Sequence, residues 1–400
     1  MKRKLHVRDL DVRGRRVLTR VDFNVPLRDG EITDDTRIRS ALPTIRSITE
    51  RGGRAVLMSH LGRPKGEVVE SLRLAPVAER LGTLLGAHID TAADCVGEET
   101  ERAVGALADG EAILLENLRF HPEEKENDSD FSERLSRLGD LYVNDAFGTA
   151  HRAHASTVGA ALRFRDRAMG FLMERELANL SRVTEDPETP YVAILGGAKV
   201  SDKIGVIENL LPKVDRLLVG GGMAFTFIKA RGGSVGASLL EEDKLETARS
   251  LLQRAKSLGK AIVLPIDVLT APGLDGDEKP VVKPADEIPD GLQGLDIGPE
   301  TIEAFASEIS LAMTIVWNGP MGVFEDPRFS GGTDAIARTV ADRTDEGALS
   351  VIGGGDSAAA VVAAGLADRI SHVSTGGGAS LEFLEGKTLP GIAVLTDAPE

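Results

Sequence analysis

With 400 residues, 42% of them apolar, the chain can fill two or three hydrophobic cores at about 150 residues per domain. That excludes a disordered chain and a small disulfide scaffold, and the single cysteine, Cys95, excludes an internal disulfide or a cysteine-rich metal cluster. The formal charge of −16 argues against a nucleic-acid partner, and the longest strongly apolar stretch, 358–367, is too short for a membrane span.

Taken in chain order, short apolar runs predict strands over 16–21, 54–58, 112–115 and 141–143, then over 191–195, 216–219, 261–264, 314–316, 349–352 and 372–374. The apolar residues are consecutive rather than alternating, as in parallel strands covered on both faces. Helical periodicity fills the gaps, for example over 36–50, 74–85, 241–258 and 333–343. This alternation predicts an α/β protein, and so many strands predict two doubly wound parallel sheets. The polar stretch 184–190, with Pro187 and Pro190, marks the boundary, and the amphipathic segment 172–183 before it reads as a rigid connecting helix. No apolar leader follows the basic Met1–His6, so a cytoplasmic protein is expected.

Ligands of open parallel sheets bind beyond the carboxyl ends of the strands. In the first half those ends lead to Asp22, Phe23 and Asn24, to His60, Leu61, Gly62 and Arg63, to Arg119, and to Arg152, while Arg37 opens the first long helix. Guanidinium forks grip carboxylates and phosphates bidentately, so several at one mouth describe a site for a small polyanion. Each arginine taken singly also fits a solvated surface residue. Residues up to Asp186 include 29 basic and 32 acidic, those beyond only 18 basic and 31 acidic, which reads either as solubility or salt adaptation or as a first half kept near neutral for an anionic ligand. A metal site from His60, His121, His151 and His154 is disfavoured because the imidazoles are scattered.

In the second half the strands end in glycine: Gly196-Gly197 before Lys199 and Lys203, then Gly220-Gly221-Gly222, Gly353-Gly354-Gly355 and Gly376-Gly377-Gly378. A strand ending in glycines and running into a helix exposes backbone N–H groups to phosphate. No loop matches G-x-x-x-x-G-K-[ST]. Gly353, Gly355 and Ala358 satisfy G-x-G-x-x-A, but no acid ends the next strand to hold a ribose 2′-hydroxyl, which disfavours a nicotinamide-dependent oxidoreductase. Asp356 reads either as a partner of Mg²⁺ or as part of a helix N-cap with Ser357.

These segments, with 21–26, 59–66, 116–120, 145–152, 196–203, 220–225, 317–325, 353–357 and 374–379 all in order, closely resemble the phosphoglycerate kinase family over essentially the whole chain. The resemblance implies two Rossmann-like domains with a cleft between them: 1–168 for 3-phosphoglycerate or 1,3-bisphosphoglycerate and 187–388 for ATP or ADP with Mg²⁺. Residues 169–186 would join them, 389–400 would return to the first domain, and a monomer that closes for catalysis is implied. By motif, Asp22, Phe23, Asn24, Arg37, His60, Leu61, Gly62, Arg63, Arg119 and Arg152 would bind the phosphoglycerate. Lys199, Lys203, Gly220, Gly221, Gly294, Asn318, Glu325, Gly353, Gly354, Gly355, Asp356 and Ser357 would bind the nucleotide, with Asp356 toward the metal. Arg37, Lys203, Gly354 and Gly377 would serve the transferring phosphoryl group.

Overall fold

A computed structural model describes residues 2–276 and 278–399. The chain divides into two compact units, residues 1–178 with 388–400, and residues 179–387.

The first unit is built on a six-stranded, wholly parallel sheet of β1 (Arg16–Val21), β2 (Arg54–Met58), β3 (Asp90–Thr91), β4 (Ala112–Leu114), β5 (Leu141–Asp145) and β6 (Arg167–Met169), in the order β3-β4-β2-β1-β5-β6. Val17, Val21, Leu57 and Val143 from the central strands meet Ile38, Ile45, Val77 and Leu81 from the helices Thr36–Thr49 and Ala75–Leu85, all buried, in one core. Covering both faces is why these strands read as unbroken apolar runs. Arg20, the next-to-last residue of β1, breaks the pattern as a charged side chain that is 1% exposed.

The second unit repeats the design with β7 (Tyr191–Leu195), β8 (Arg216–Val219) and β9 (Ala261–Val263). An antiparallel group follows, β10 (Asp267–Ala271), β11 (Val281–Pro284) and β12 (Gln293–Ile297), and then β13 (Thr314–Asn318), β14 (Leu349–Gly353) and β15 (His372–Val373). The parallel sheet runs β9-β8-β7-β13-β14-β15, and the small sheet runs β11-β10-β12. Trp317, Phe305, Ile336 and Val340 anchor its core.

Three differences from the sequence reading concern marginal elements. The strands β3 and β6 complete the first sheet from its edges, and the antiparallel group adds a second kind of sheet to an expectation of parallel strands alone. The helix predicted over 241–258 is a short 3-10 turn, Glu242–Lys244, followed by the α-helix Leu245–Ser257. The helix at 172–183 is found as Phe171–Thr184. Its N-terminus is held by Asp145 at the end of β5, whose Oδ1 accepts the N–H groups of Leu172 (2.9 Å) and Met173 (3.1 Å).

The last residues bind to the first unit through backbone and charge. Leu5 N–H donates to Thr396 O (2.7 Å), Arg167 Nε to Val394 O (2.7 Å), and Lys4 pairs with Asp397 at 2.7 Å.

Candidate active site

In the first unit the ends of the neighbouring strands β4, β2, β1 and β5 bring polar groups to one edge of the sheet. Asp22 leaves β1 buried, and its Oδ2 accepts from Arg37, which opens the helix Thr36–Thr49. Asn24 turns its Oδ1 to the Gly62 N–H at 2.8 Å, tying the loop after β1 to the loop after β2. Phe23 and Leu61 send their side chains into the core, so only their backbone can face a ligand. Asn117 braces the same loop by accepting the N–H groups of Leu61 (3.2 Å) and Arg119 (3.1 Å), and Arg119 donates to Gly62 O at 2.8 Å. Arg63 and Arg152 are exposed on their loops, and Arg152 Nε donates to His151 Nε2 at 3.0 Å.

His60 is 4% exposed and its Nδ1 lies 3.0 Å from Arg20 Nη2. A guanidinium can only donate, so Nδ1 is the acceptor and the neutral ring carries its proton on Nε2. Burial, then Arg20, Arg119 and Arg37, hold the imidazole far below its ordinary range, so at neutral pH it is an uncharged donor. Arg119 is itself pushed down to about 10 by burial and by Arg20 and Arg152. Positive groups that raise one another's energy this way form a region of positive potential, a standing attraction for an anion. Besides Asp22, a second buried carboxyl is built in: Glu124, 1% exposed, accepts the N–H (2.9 Å) and hydroxyl (2.6 Å) of Ser156, whose Oγ accepts from Arg20 Nε at 2.9 Å.

In the second unit, two adjoining cavities of about 340 and 360 Å³ share Gly197, Ala198, Pro320 and Asp356 in their walls. The first is polar and glycine-lined, bounded by Lys199, Lys203, Asn318, Gly354, Gly355, Ser357 and Gly377. Lys203 is half-buried and donates to Asn318 Oδ1, whereas Lys199 is exposed. Burial draws the Lys203 ammonium below its usual range against the pull of Asp202, Asp356 and Glu385. The Asn318 Nδ2 is buried and has no protein partner among the described residues. An unpaired buried donor at the wall of a cavity favours an anionic occupant. Gly377 has φ of +50°, open to glycine with little strain, and a side chain there would point into empty space.

The second cavity is an apolar slot between Phe225, Leu239, Val268, Leu295 and Met321, with Gly221, Gly294 and Glu325 in its wall. Its apolar flanks suit a flat aromatic group. Gly220 and Gly353 line neither cavity. Gly220 sits where a Cβ would strike Met321 Sδ at 2.5 Å, so its role is close packing. The Ser357 hydroxyl oxygen is buried and already accepts the Gly319 N–H at 2.6 Å, which makes it a brace for the loop after β13.

A family model for phosphoglycerate kinase matches residues 7–387. The chain is 55% identical over 398 residues to phosphoglycerate kinase of Chloroherpeton thalassium, covering 100% of both chains. The chain belongs to the phosphoglycerate kinase family. The enzyme of Chlorobium phaeobacteroides is 57% identical over 390 residues, covering 97% of this chain and 98% of that one. Among solved structures, phosphoglycerate kinase from Coxiella burnetii matches with a TM-score of 0.88 at 44% identity, covering 98% of each chain. The enzyme of Pyrococcus horikoshii matches with a TM-score of 0.84 at 34% identity over the same share.

Within this member of the phosphoglycerate kinase family, sequence reasoning passed over Arg20, Glu124 and Ser156. Arg20 carried a usable signal, a charge inside an apolar run predicted to be covered on both faces, where an unpaired guanidinium is rarely tolerated. Glu124 carried none, since it stands in the acidic run 123–126, which reads as solvated surface.

Proposed function

We propose that the chain catalyses reversible phosphoryl transfer between 1,3-bisphosphoglycerate and ADP, giving 3-phosphoglycerate and ATP, as its family membership implies. The observation that carries the reading is the chemical complementarity of its two sites: a guanidinium–imidazole cluster for a small polyanion, and a glycine-lined cavity beside an apolar slot for a nucleotide.

In this reading residues 1–168 with 389–400 bind the phosphoglycerate, 187–388 bind the nucleotide and 169–186 connect them. Arg37, His60, Arg63, Arg119 and Arg152 hold the phosphoglycerate, with Asp22 and Asn24 orienting it. Lys199, Lys203, Asn318 and the backbone of 353–355 and 376–378 receive the nucleotide phosphates, and Glu325 the ribose. The attacking group is a carboxylate, ordinarily ionised above pH ~4, so no general base is needed. A buried, neutral His60 fits a hydrogen-bond donor rather than a base.

The chemical difficulty is repulsion between two anions, about 4 kcal/mol for unit charges 4 Å apart at an effective dielectric of ~20. Arg37, Lys203 and the glycine amides answer it by stabilising the loose phosphoryl group as charge spreads over it. The donor set fits Mg²⁺: Asp356 is an exposed hard-oxygen ligand on the wall of both cavities, and one carboxylate suits an ion carried mainly by phosphates. Such an ion neutralises phosphate charge when bound. The proposal includes a monomeric, cytoplasmic enzyme; no helix among the described residues is long and apolar enough to cross a membrane.

The test is ATP formation from 1,3-bisphosphoglycerate and ADP with Mg²⁺ in a coupled assay. Turnover that saturates in both substrates is expected, and no ATP above background at millimolar substrates would overturn the reading.

A further inference from the structure

Beside the first site, two residues beyond Arg119, the first unit gathers three different metal-binding side chains. Asp94, Cys95 and His121 each offer a ligand atom, and these atoms lie within 4.8 Å of one another. They come from two segments: Asp94 and Cys95 from the loop after β3, His121 from the end of the turn Leu118–Phe120 after β4. The Asp94 carboxylate is 2.7 Å from His121 Nε2, and its Oδ1 also accepts the Cys95 N–H at 2.6 Å. The His121 ring lies against Phe131 at 5.2 Å between centroids, which fixes its plane. Thr100 Oγ1 donates to Asp94 O at 3.1 Å and holds the loop.

We propose that Asp94, Cys95 and His121 bind one divalent ion of the zinc class, with water completing a tetrahedral site. Sulfur, imidazole nitrogen and one carboxylate oxygen are a set that selects Zn²⁺ or Co²⁺ over the hard, oxygen-seeking Mg²⁺ and Ca²⁺. Exposure is graded in the sense such a site needs. The Asp94 and His121 side chains are 48% and 25% exposed and Cys95 is fully buried, so an ion enters past the two outer ligands and the thiol forms the floor. On binding, the thiol proton leaves to solvent, and the imidazole coordinates through Nε2 as the tautomer whose one proton is on Nδ1. The ion takes its place between the Asp94 carboxylate and His121 Nε2, which lie 2.7 Å apart without it. Burial holds the thiol well above its ordinary range, which keeps Cys95 protonated and inert until an ion displaces the proton.

The single cysteine of the chain makes the test specific. The full-length, reduced, nucleotide-free protein is titrated with Co²⁺ while absorbance follows the thiolate-to-cobalt charge-transfer band, which only Cys95 can produce. One Co²⁺ per chain is expected to give the band with the far-ultraviolet circular dichroism unchanged, and Zn²⁺ is expected to abolish it by displacement. Cys95→Ser should lose the band, and His121→Gln and Asp94→Asn should each weaken Co²⁺ binding at least ~10-fold. If the buried Cys95→Ser variant does not fold, the two partly exposed positions decide the question. No band at saturating Co²⁺, a band that appears only on unfolding, or one equally strong in His121→Gln and Asp94→Asn would each overturn the three-ligand site.

Discussion

Single side chains in this protein are tuned by what surrounds them, and three substitutions separate their roles. Arg37 is partly exposed and leans on Asp22. In the proposed function Arg37 meets charge developing in the transition state, so Arg37→Ala is expected to cut kcat by about 10²-fold or more with smaller changes in KM. Steady-state kinetics check this, and a rise in KM alone would make Arg37 an ordinary binding residue. Lys203 is half-buried on Asn318 while Lys199 is exposed, so Lys203→Ala should lower kcat well beyond Lys199→Ala. Equal losses would end the distinction. Asp356→Asn is expected to weaken Mg·ADP more than metal-free ADP in calorimetric titrations; an unchanged dependence on Mg²⁺ would remove Asp356 from the metal. The arginines, lysines and Asp356 were legible in the sequence because strand ends announce where such groups go. Arg20 could have been read as a charge inside an apolar run, but Glu124 and Ser156 could not, because their meaning lies in contacts between segments far apart in the chain.

Among the elements, the central strands were readable to within a residue or two, since β1, β2, β7 and β8 bury both faces and have the unbroken apolar runs that this requires. The edges were not. β3 has two exposed residues, and β11 carries Val281 and Val282 half exposed, so neither has a burial pattern to read. The loops after β7 and β13 cross at the point where the second sheet's strand order reverses, and there Gly196 leaves no room: a Cβ would stand 2.0 Å from Pro320 O. Backbone cannot retreat as a flexible side chain can. Gly196→Ala is therefore expected to destabilise the second unit by about 1–3 kcal/mol, read as a fall in its melting temperature. A melting temperature equal to wild type would show that the crossing loops have slack.

At the scale of the whole molecule, each unit holds a buried aspartate far from its ordinary range. Burial pushes Asp145 in the first unit and Asp296 in the second up to about 7, against hydrogen bonds from backbone N–H groups that pull down. An unfolded Asp titrates near ~3.9, so between about pH 4 and 7 the folded chain binds more protons than the unfolded chain at these positions. Stability from these two groups therefore falls as pH rises through that window, by up to ~1.4 kcal/mol per pH unit for each, and levels off above it. Denaturant midpoints from pH 5 to 8 check the sign. Asp145→Asn, which keeps an oxygen for Leu172 and Met173 but no charge, should flatten the slope for the first unit, and an unaltered slope would refute the assignment.

The return of the last residues to the first unit has a consequence for biosynthesis. Lys4 and Leu5 meet partners at Asp397 and Thr396, so the unit that leaves the ribosome first lacks its closing strap until residues 396 and 397 have been made. The later unit is continuous and can mature as soon as it emerges. A stalled or truncated nascent chain should then carry a protease-resistant second half and a vulnerable first half.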